Sequence, residues 1–167
     1  MFLYTFGSIY NVILSRRSII GLVKDSAQDQ NINVDPFEFK HFNANFIAFT
    51  VDGVMIPSIP YTPNHKSKFY MREFINLYRY FNQDEGVPQL TVRYEDYGSK
   101  FALYAFDLSP DGSIGAENGT LSLIKRGNIR LDIKFAEKLD TSVKVVVFGQ
   151  FDNLITIDKE RNVTLDY

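Results

Sequence analysis

Short apolar runs separated by turn residues constrain the fold of this chain more than any other feature. In residues 129–135 apolar and charged side chains alternate strictly, which is the period of a β-strand with one buried and one solvated face. Residues 45–51 and 143–148 are more continuously apolar, as expected for strands that are covered on both faces, and residues 18–23 are predicted to form another strand. Runs of this length and spacing predict an antiparallel all-β sandwich.

Turn residues predict where the first hairpin lies. Asp52-Gly53 is a strong two-residue hairpin signal, and residues 54–56 then form a short return strand. Pro57, Pro60 and Pro63 follow, and they are expected to forbid regular pairing beyond that strand because proline cannot donate a backbone hydrogen bond.

Three further runs complete the predicted set of strands: 9–14, 101–105 and 151–157. The second has Phe101, Leu103 and Ala105 on one face and ends at the turn 109–112, whereas the third stops at Asp158-Lys159. The total of about eight strands is that of an antiparallel jelly-roll sandwich. Residues 1–8 form an N-terminal arm or a strand without a mate, which is an aggregation risk.

One short helix is predicted between the fourth and fifth strands, over about residues 68–82. Apolar side chains at spacings of four, three and four fall on one face of this helix, namely Tyr70, Phe74, Leu77 and Phe81. The polar residues between them fall on the opposite face, namely Arg72, Glu73, Asn76 and Arg79. Ser67 is the best candidate for its cap.

Composition limits the class of protein. A chain of 167 residues corresponds to a single domain spanning 1–167. It contains no cysteine, so neither a disulfide framework nor a cysteine nucleophile is available. A net charge of −2 gives no basic excess for specific nucleic-acid binding. The N-terminal apolar stretch is too short and too polar to span a membrane and lacks the features of a signal peptide.

No constellation of catalytic residues is found. The two histidines, His41 and His65, are interpreted as unlinked residues in separate loops or strand edges, so no metal site is expected. The glycines between 112 and 119 lack the lysine of a phosphate-binding loop. Adjacent acidic residues such as Glu95-Asp96 would point to opposite faces of a strand. The chain is therefore predicted not to be an enzyme, with no cofactor and no small-molecule substrate.

Several segments resemble a known family, and the resemblance as a whole runs from about residue 9 to residue 167. They are Arg16-Arg17 with 19–23, residues 35–43 (Asp-Pro-Phe-Glu-Phe-Lys-His-Phe-Asn), 51–63 with its hairpin and prolines, 70–74, 101–110, 127–135, 143–148 and 155–163. In their order and spacing they are similar to the C-terminal jelly roll of the major capsid proteins of Polinton/Maverick-type elements and adintoviruses. Asp35 and Glu38 depart from the family pattern, which has asparagine at both positions.

This resemblance implies a structural role. Capsid proteins of this family carry two jelly rolls, and three copies form a hexon-like capsomer of an icosahedral shell. The expected partners are further copies of the chain, as a trimer, and other capsid subunits. The expected location is the virion capsid, after synthesis in the host cytoplasm or nucleus and without secretion. The loops at 24–35 and 111–119 are candidates for the subunit interface. A set of aromatic and apolar residues is a further candidate, namely Tyr70, Phe74, Leu77, Tyr78, Phe81, Tyr94 and Tyr97. Tyr94 and Tyr97 are expected to be exposed.

Two other classes of function compete with this hypothesis. A host-adapted binding or interaction module derived from such a capsid protein would need a concave face with exposed aromatic and polar groups. A cupin-like oxygenase would need a cluster of metal-binding histidines, which two unlinked histidines do not supply. Self-association of the purified chain distinguishes the capsid domain from the binding module.

Overall fold

Nine β-strands and two α-helices make up the regular structure in the computed structural model, which describes residues 2–7, 14–27, 35–81, 91–109, 127–151 and 154–166. The strands are β1 (Phe2–Phe6), β2 (Arg17–Lys24), β3 (Ala44–Val51), β4 (Val54–Tyr61), β5 (Leu103–Asp107), β6 (Ile129–Phe135), β7 (Val143–Gln150), β8 (Leu154–Ile157) and β9 (Val163–Asp166). The helices are α1 (Met71–Phe81) and α2 (Tyr94–Tyr97), and Asp25–Ala27 forms one turn of 3₁₀-helix.

The strands form two antiparallel sheets and a separate hairpin. The four-stranded sheet has the order β1-β6-β3-β4, the three-stranded sheet has the order β5-β2-β7, and β8 pairs with β9 in the C-terminal hairpin. All of these pairings are antiparallel. The predicted antiparallel all-β sandwich with one short inserted helix is therefore confirmed. The described residues contain nine strands where about eight were predicted.

The main core lies between the two sheets. Strand β6 alternates as predicted, and every second side chain from Ile129 to Phe135 is buried. From the opposite sheet Ile20 and Leu22 of β2 and two aromatic residues of β5 meet these side chains. Phe106 of β5 stacks on Phe49 with ring centroids 4.9 Å apart. Full burial of each such side chain stabilises the fold by about 1.5–3 kcal/mol.

Helix α1 adds a third layer on the outer face of the three-stranded sheet. Leu77 and Tyr80 of α1 join Tyr97 of α2 in a second buried cluster with Ile19 and Ala105 of the sheet. Strand β2 is therefore covered on both faces, by the main core on one side and by α1 on the other. The opposite face of β5 contributes to the main core, so the sheet is shared by the two clusters.

The helix begins later than predicted, at Met71 rather than at about residue 68. Residues 64–69 form a turn, closed by backbone hydrogen bonds between Asn64 and Phe69 of 2.8 and 2.9 Å. The backbone N–H of Ser67 donates to the side chain of Asn64 within this turn, so the prediction of Ser67 as the helix cap is wrong. The carbonyl of Tyr70 accepts the first helical hydrogen bond, from Phe74.

The predicted hairpin at Asp52-Gly53 is confirmed, but its return strand is longer than expected. Both turn residues have positive φ, 48° and 84°, as a two-residue turn of this type requires. Strand β4 continues to Tyr61, not to residue 56. Pairing with β3 is regular up to Ile56 and resumes only at Tyr61. The prolines therefore interrupt pairing within an edge strand, where proline is tolerated.

The prediction that the N-terminal strand lacks a pairing partner is wrong. Strand β1 pairs with β6 along its full length, so the N-terminal strand does have a mate.

Strand β7 was predicted to be covered on both faces, but its residues are half-buried or exposed, and Phe148 is 59% exposed. It lies at the edge of the three-stranded sheet, away from the strands that α1 covers. The expected last strand is β8, and Asp158-Lys159 begins a turn into β9, which was not predicted.

Several predicted segments lie largely or wholly outside the described residues. The strand at 9–14 is described only at Leu14, and the loop at 24–35 only at its two ends. The turn at 109–112 is described only at Ser109, and the glycine-containing loop at 111–119 is not described.

Candidate functional site

The helix and its aromatic neighbours were the predicted subunit interface, and the structure places much of this set inside the chain's own core. Tyr70 and Leu77 are buried at 4% and 0% exposure, and Tyr97 is also at 0%. Tyr97 was predicted to be exposed, and that prediction is wrong. Phe74, Tyr78, Phe81 and Tyr94 are half-buried. An interface role for the set stays a prediction that only these four can still satisfy without unfolding.

Contacts among these rings explain their burial. Tyr70 packs on Tyr94 with ring centroids 4.6 Å apart, and Phe74 packs edge-on against Tyr97 at 5.6 Å. The hydroxyl groups also form hydrogen bonds. That of Tyr97 donates to the carbonyl of Leu103 over 2.9 Å, and that of Tyr94 donates to the backbone carbonyl of Lys68. A satisfied aromatic cluster of this kind fixes α1 and α2 to the sheet.

Glu73 corrects the predicted polar face of the helix. It was placed opposite the apolar residues, but only 4% of it is exposed. Burial raises the pKa of its carboxyl group, while its own backbone N–H and the nearby Arg72 and Thr62 act in the opposite sense. The carboxylate therefore anchors the first turn of α1 against the end of β4.

The apolar side chains that face outward from this layer are different from those predicted. Phe69 is 74% exposed, Met71 52% and Ile75 47%. Met71 and Ile75 are four residues apart, which places them on one face of the helix. This spacing was visible in the sequence, but the stronger run through Leu77 defined the buried face.

The two histidines form a stacked pair, so the interpretation of them as unlinked is wrong. The imidazole centroids of His41 and His65 are 4.1 Å apart and the rings are 7° from parallel. His41 precedes β3 and His65 follows β4, and these strands form the hairpin centred on Asp52-Gly53. One histidine lies 11 residues before that turn and the other 12 residues after it. This near-symmetry was the sequence signal that could have brought them together.

The environment of the pair disfavours the charged form of both rings. The backbone N–H of Asn43 donates to Nδ1 of His41 over 2.8 Å, and burial lowers the pKa of this residue. Nε2 of His65 lies 3.1 Å from the hydroxyl of Tyr104, whereas its Nδ1 is buried without a hydrogen-bond partner. Burial, and secondly His41, lower the pKa of His65 to about 3. A proton on either ring is therefore disfavoured.

A polar cleft of about 400 Å³ opens beside His65. Lys66 forms an ion pair with Glu137 across it, and the Asn43 side chain also donates to that carboxylate over 3.4 Å. This pairing with Lys66, more than any other contact, lowers the pKa of Glu137. Because the charges lining the cleft neutralise each other, the arrangement suits a structural contact between the turn at 64–69 and the end of β6.

Exposed apolar residues are also found on the C-terminal hairpin. Ile155 is 60% exposed, Ile157 66% and Val163 62%. Ile157 lies opposite Val163 in the register, so the three residues share one face of the hairpin. This surface, together with Phe148 on β7, is apolar area that the described part of the chain leaves open.

Two general findings apply to the described ranges. Within them, no three side chains of His, Asp or Glu lie together in a way that could hold a metal ion. None of the helices described is long and apolar enough to cross a membrane.

Comparisons with known proteins add one relative. No family model matches the chain, and no solved structure matches it significantly. An uncharacterized protein of Caenorhabditis elegans is 21% identical over 164 residues, which are 95% of this chain and 38% of that protein. The chain thus spans well under half of the relative's length. Because the relative is itself uncharacterized, it supplies no activity, substrate or partner.

Proposed function

We propose that this chain is a structural domain of a viral-type capsid, corresponding to the C-terminal jelly roll of a double jelly-roll major capsid protein of the Polinton/Maverick type. In this role it self-associates, as a trimer, and contacts other capsid subunits in the shell of a virion. It has no catalytic function in this proposal. The basis is the ordered series of segments from 16 to 163 that resembles the family, combined with the antiparallel sandwich.

The observation that supports the proposal most is the exposed apolar face of the C-terminal hairpin. The C-terminal hairpin presents Ile155, Ile157 and Val163 at 60–66% exposure on one face. A two-stranded hairpin is at best marginally stable alone in water, and a contiguous exposed apolar patch is typical of a protein–protein contact. Assembly requires shape and apolar area rather than reactive groups.

The mass of the purified chain in solution tests the proposal. Light scattering over a concentration series, from micromolar to hundreds of micromolar, is expected to give a mass that rises to that of a trimer. A monomer of 19.2 kDa at every concentration would overturn the proposal and favour a binding module. The exposed variant Lys159→Ala serves as a control, because loss of one solvated charge is expected to leave the mass unchanged.

A further inference from the structure

The inner face of strand β1 is only partly covered by the opposite sheet. The register places Tyr4 opposite Ile133 and Phe6 opposite Leu131, and both of these β6 residues are buried in the main core. Because directly opposed residues share a face of a sheet, Tyr4 and Phe6 also point between the sheets. They are nevertheless 42% and 38% exposed. The larger sheet therefore extends beyond the smaller one at β1.

A cleft of about 480 Å³ lies at this position, between β1 and β7. Tyr4 and Phe6 line it from one sheet and Val143 and Val145 from the other. Among the described strands β7 pairs only with β2, so the backbone groups on its other edge can bind one more strand. A strand added there would extend the smaller sheet and cover the inner face of β1.

The C-terminal hairpin has the properties that such an added strand requires. Ile155, Ile157 and Val163 lie on one face, and every hairpin side chain that the structure describes is exposed. The turn is held by Asp158, whose carboxylate accepts hydrogen bonds of 2.9 Å from the backbone N–H groups of Glu160 and Asn162. These hydrogen bonds favour the hairpin conformation, which reduces the conformational entropy lost when it docks.

Folding back along β7 would not bring the chain's own hairpin to this cleft. Strand β8 begins at Leu154, after the end of β7, and its four residues span about 14 Å. Val143 lies at the opposite end of β7, about 24 Å before Gln150 along the strand. Folded back along β7, the apolar residues of the hairpin would stop short of Val143 and Val145. A second copy of the chain can present the same hairpin without this restriction.

We propose that the C-terminal hairpin of one copy adds to the edge of β7 opposite β2 in a second copy and buries Ile155, Ile157 and Val163 against Tyr4 and Phe6. This inference rests on the proposed function and names the contact through which the chain self-associates. The contact is heterologous, because one copy gives the hairpin and the next gives the cleft. Contacts of this kind close into a ring when the rotation allows, and a ring of three is the expected trimer.

Disulfide trapping tests the contact directly, because the natural chain contains no cysteine. The full-length variants Tyr4→Cys and Ile157→Cys, one of them carrying a mass tag, are mixed and oxidised. A mixed disulfide dimer is expected. Matched controls use neighbours on the opposite faces: Leu3→Cys mixed with Ile157→Cys, and Tyr4→Cys mixed with Thr156→Cys, should give several-fold less product.

Light scattering of the same proteins distinguishes failure of the hairpin contact from failure of the capsid proposal. Ile157→Thr is expected to weaken self-association about tenfold, as loss of one buried aliphatic side chain does, whereas Thr156→Ala should not. Self-association without the Tyr4–Ile157 disulfide, or with equal product in the controls, would overturn the hairpin contact and leave the capsid proposal standing. A monomer at all concentrations would overturn both.

Discussion

Acidification from pH 7.5 to 5 is expected to destabilise the fold by about 2 kcal/mol through His65 alone. In the folded chain the pKa of His65 is about 3, compared with about 6.5 in an unfolded chain. As the pH falls, the unfolded state therefore takes up the proton first. The stability that depends on this neutral imidazole is complete above pH 6.5 and is lost progressively as the pH falls from 6.5 toward 3.

The magnitude follows from the distance between pH 5 and the unfolded pKa. That distance is about 1.5 units, and each unit corresponds to about 1.4 kcal/mol. His41 acts in the same direction, because burial lowers its pKa as well. Glu73 acts in the opposite direction, because burial raises the pKa of its carboxyl group in the folded state, so the folded state gains relative stability as this group is protonated.

A single variant isolates the histidine contribution. In His65→Gln the side-chain amide can still meet the hydroxyl of Tyr104, which lies 3.1 Å from Nε2 in the natural protein, but it does not titrate. Urea unfolding at pH 7.5, 6 and 5 should show the natural chain losing about 2 kcal/mol more than the variant between the extremes. His41→Asn is the matched control for the second ring, and its effect on the pH dependence should be smaller.

Nuclear magnetic resonance gives a direct measurement, because the chain contains only two histidines. Neither imidazole C–H signal should shift with a midpoint near pH 6.5 while the protein is folded. A normal midpoint for His65, or an equal loss of stability in the natural chain and in His65→Gln, would refute the reasoning from the stacked pair.

Two further predictions concern packing, and both are measured by urea unfolding. A Cβ on Gly21 would lie 2.4 Å from the ring of Phe39, so Gly21→Ala should lower the free energy of unfolding by about 1–3 kcal/mol. A Cβ on Gly7 would meet nothing within 4 Å, so Gly7→Ala should leave this free energy nearly unchanged. Leu77→Ala should lower the free energy of unfolding by about 3 kcal/mol because Leu77 is fully buried. Ile75→Ala, on the exposed face of the same helix, should lower it by less than about 1 kcal/mol. Equal losses would refute the assignment of the two faces.

Local patterns in the sequence predicted the fold class and several elements well. The alternation in 129–135 and the Asp52-Gly53 signal depend on neighbouring residues, and both are confirmed in β6 and in the β3–β4 hairpin. The prolines after position 56 correctly predicted an interruption of pairing, but not the resumption at Tyr61. Resumption depends on β4 being an edge strand, and a sequence pattern does not state which strands are edges.

The candidate site was predicted less well, because it depends on contacts between distant segments. Glu73 has the helical phase of a solvated residue, but its contacts with the end of β4 bury it. The two histidines do not have the spacing of metal ligands. They meet because they lie at nearly equal distances from the turn of one hairpin, on its two sides. Tyr97 lies in a segment without periodicity, and its burial follows from packing against α1.

The failed prediction for β7 points to assembly. A run as apolar as 143–148 predicts a strand covered on both faces, yet Phe148 is 59% exposed. Phe148 lies opposite Ile19 and so shares the outer face of the sheet with it, but α1 packs over β5 and β2 and does not extend over the edge strand β7. An apolar strand with an exposed face is typical of a surface that is buried only in a complex. Phe148→Ser should therefore change the free energy of unfolding by less than about 0.5 kcal/mol while weakening self-association in light scattering. A loss of stability as large as that of Leu77→Ala, with self-association unchanged, would show instead that Phe148 belongs to the chain's own core.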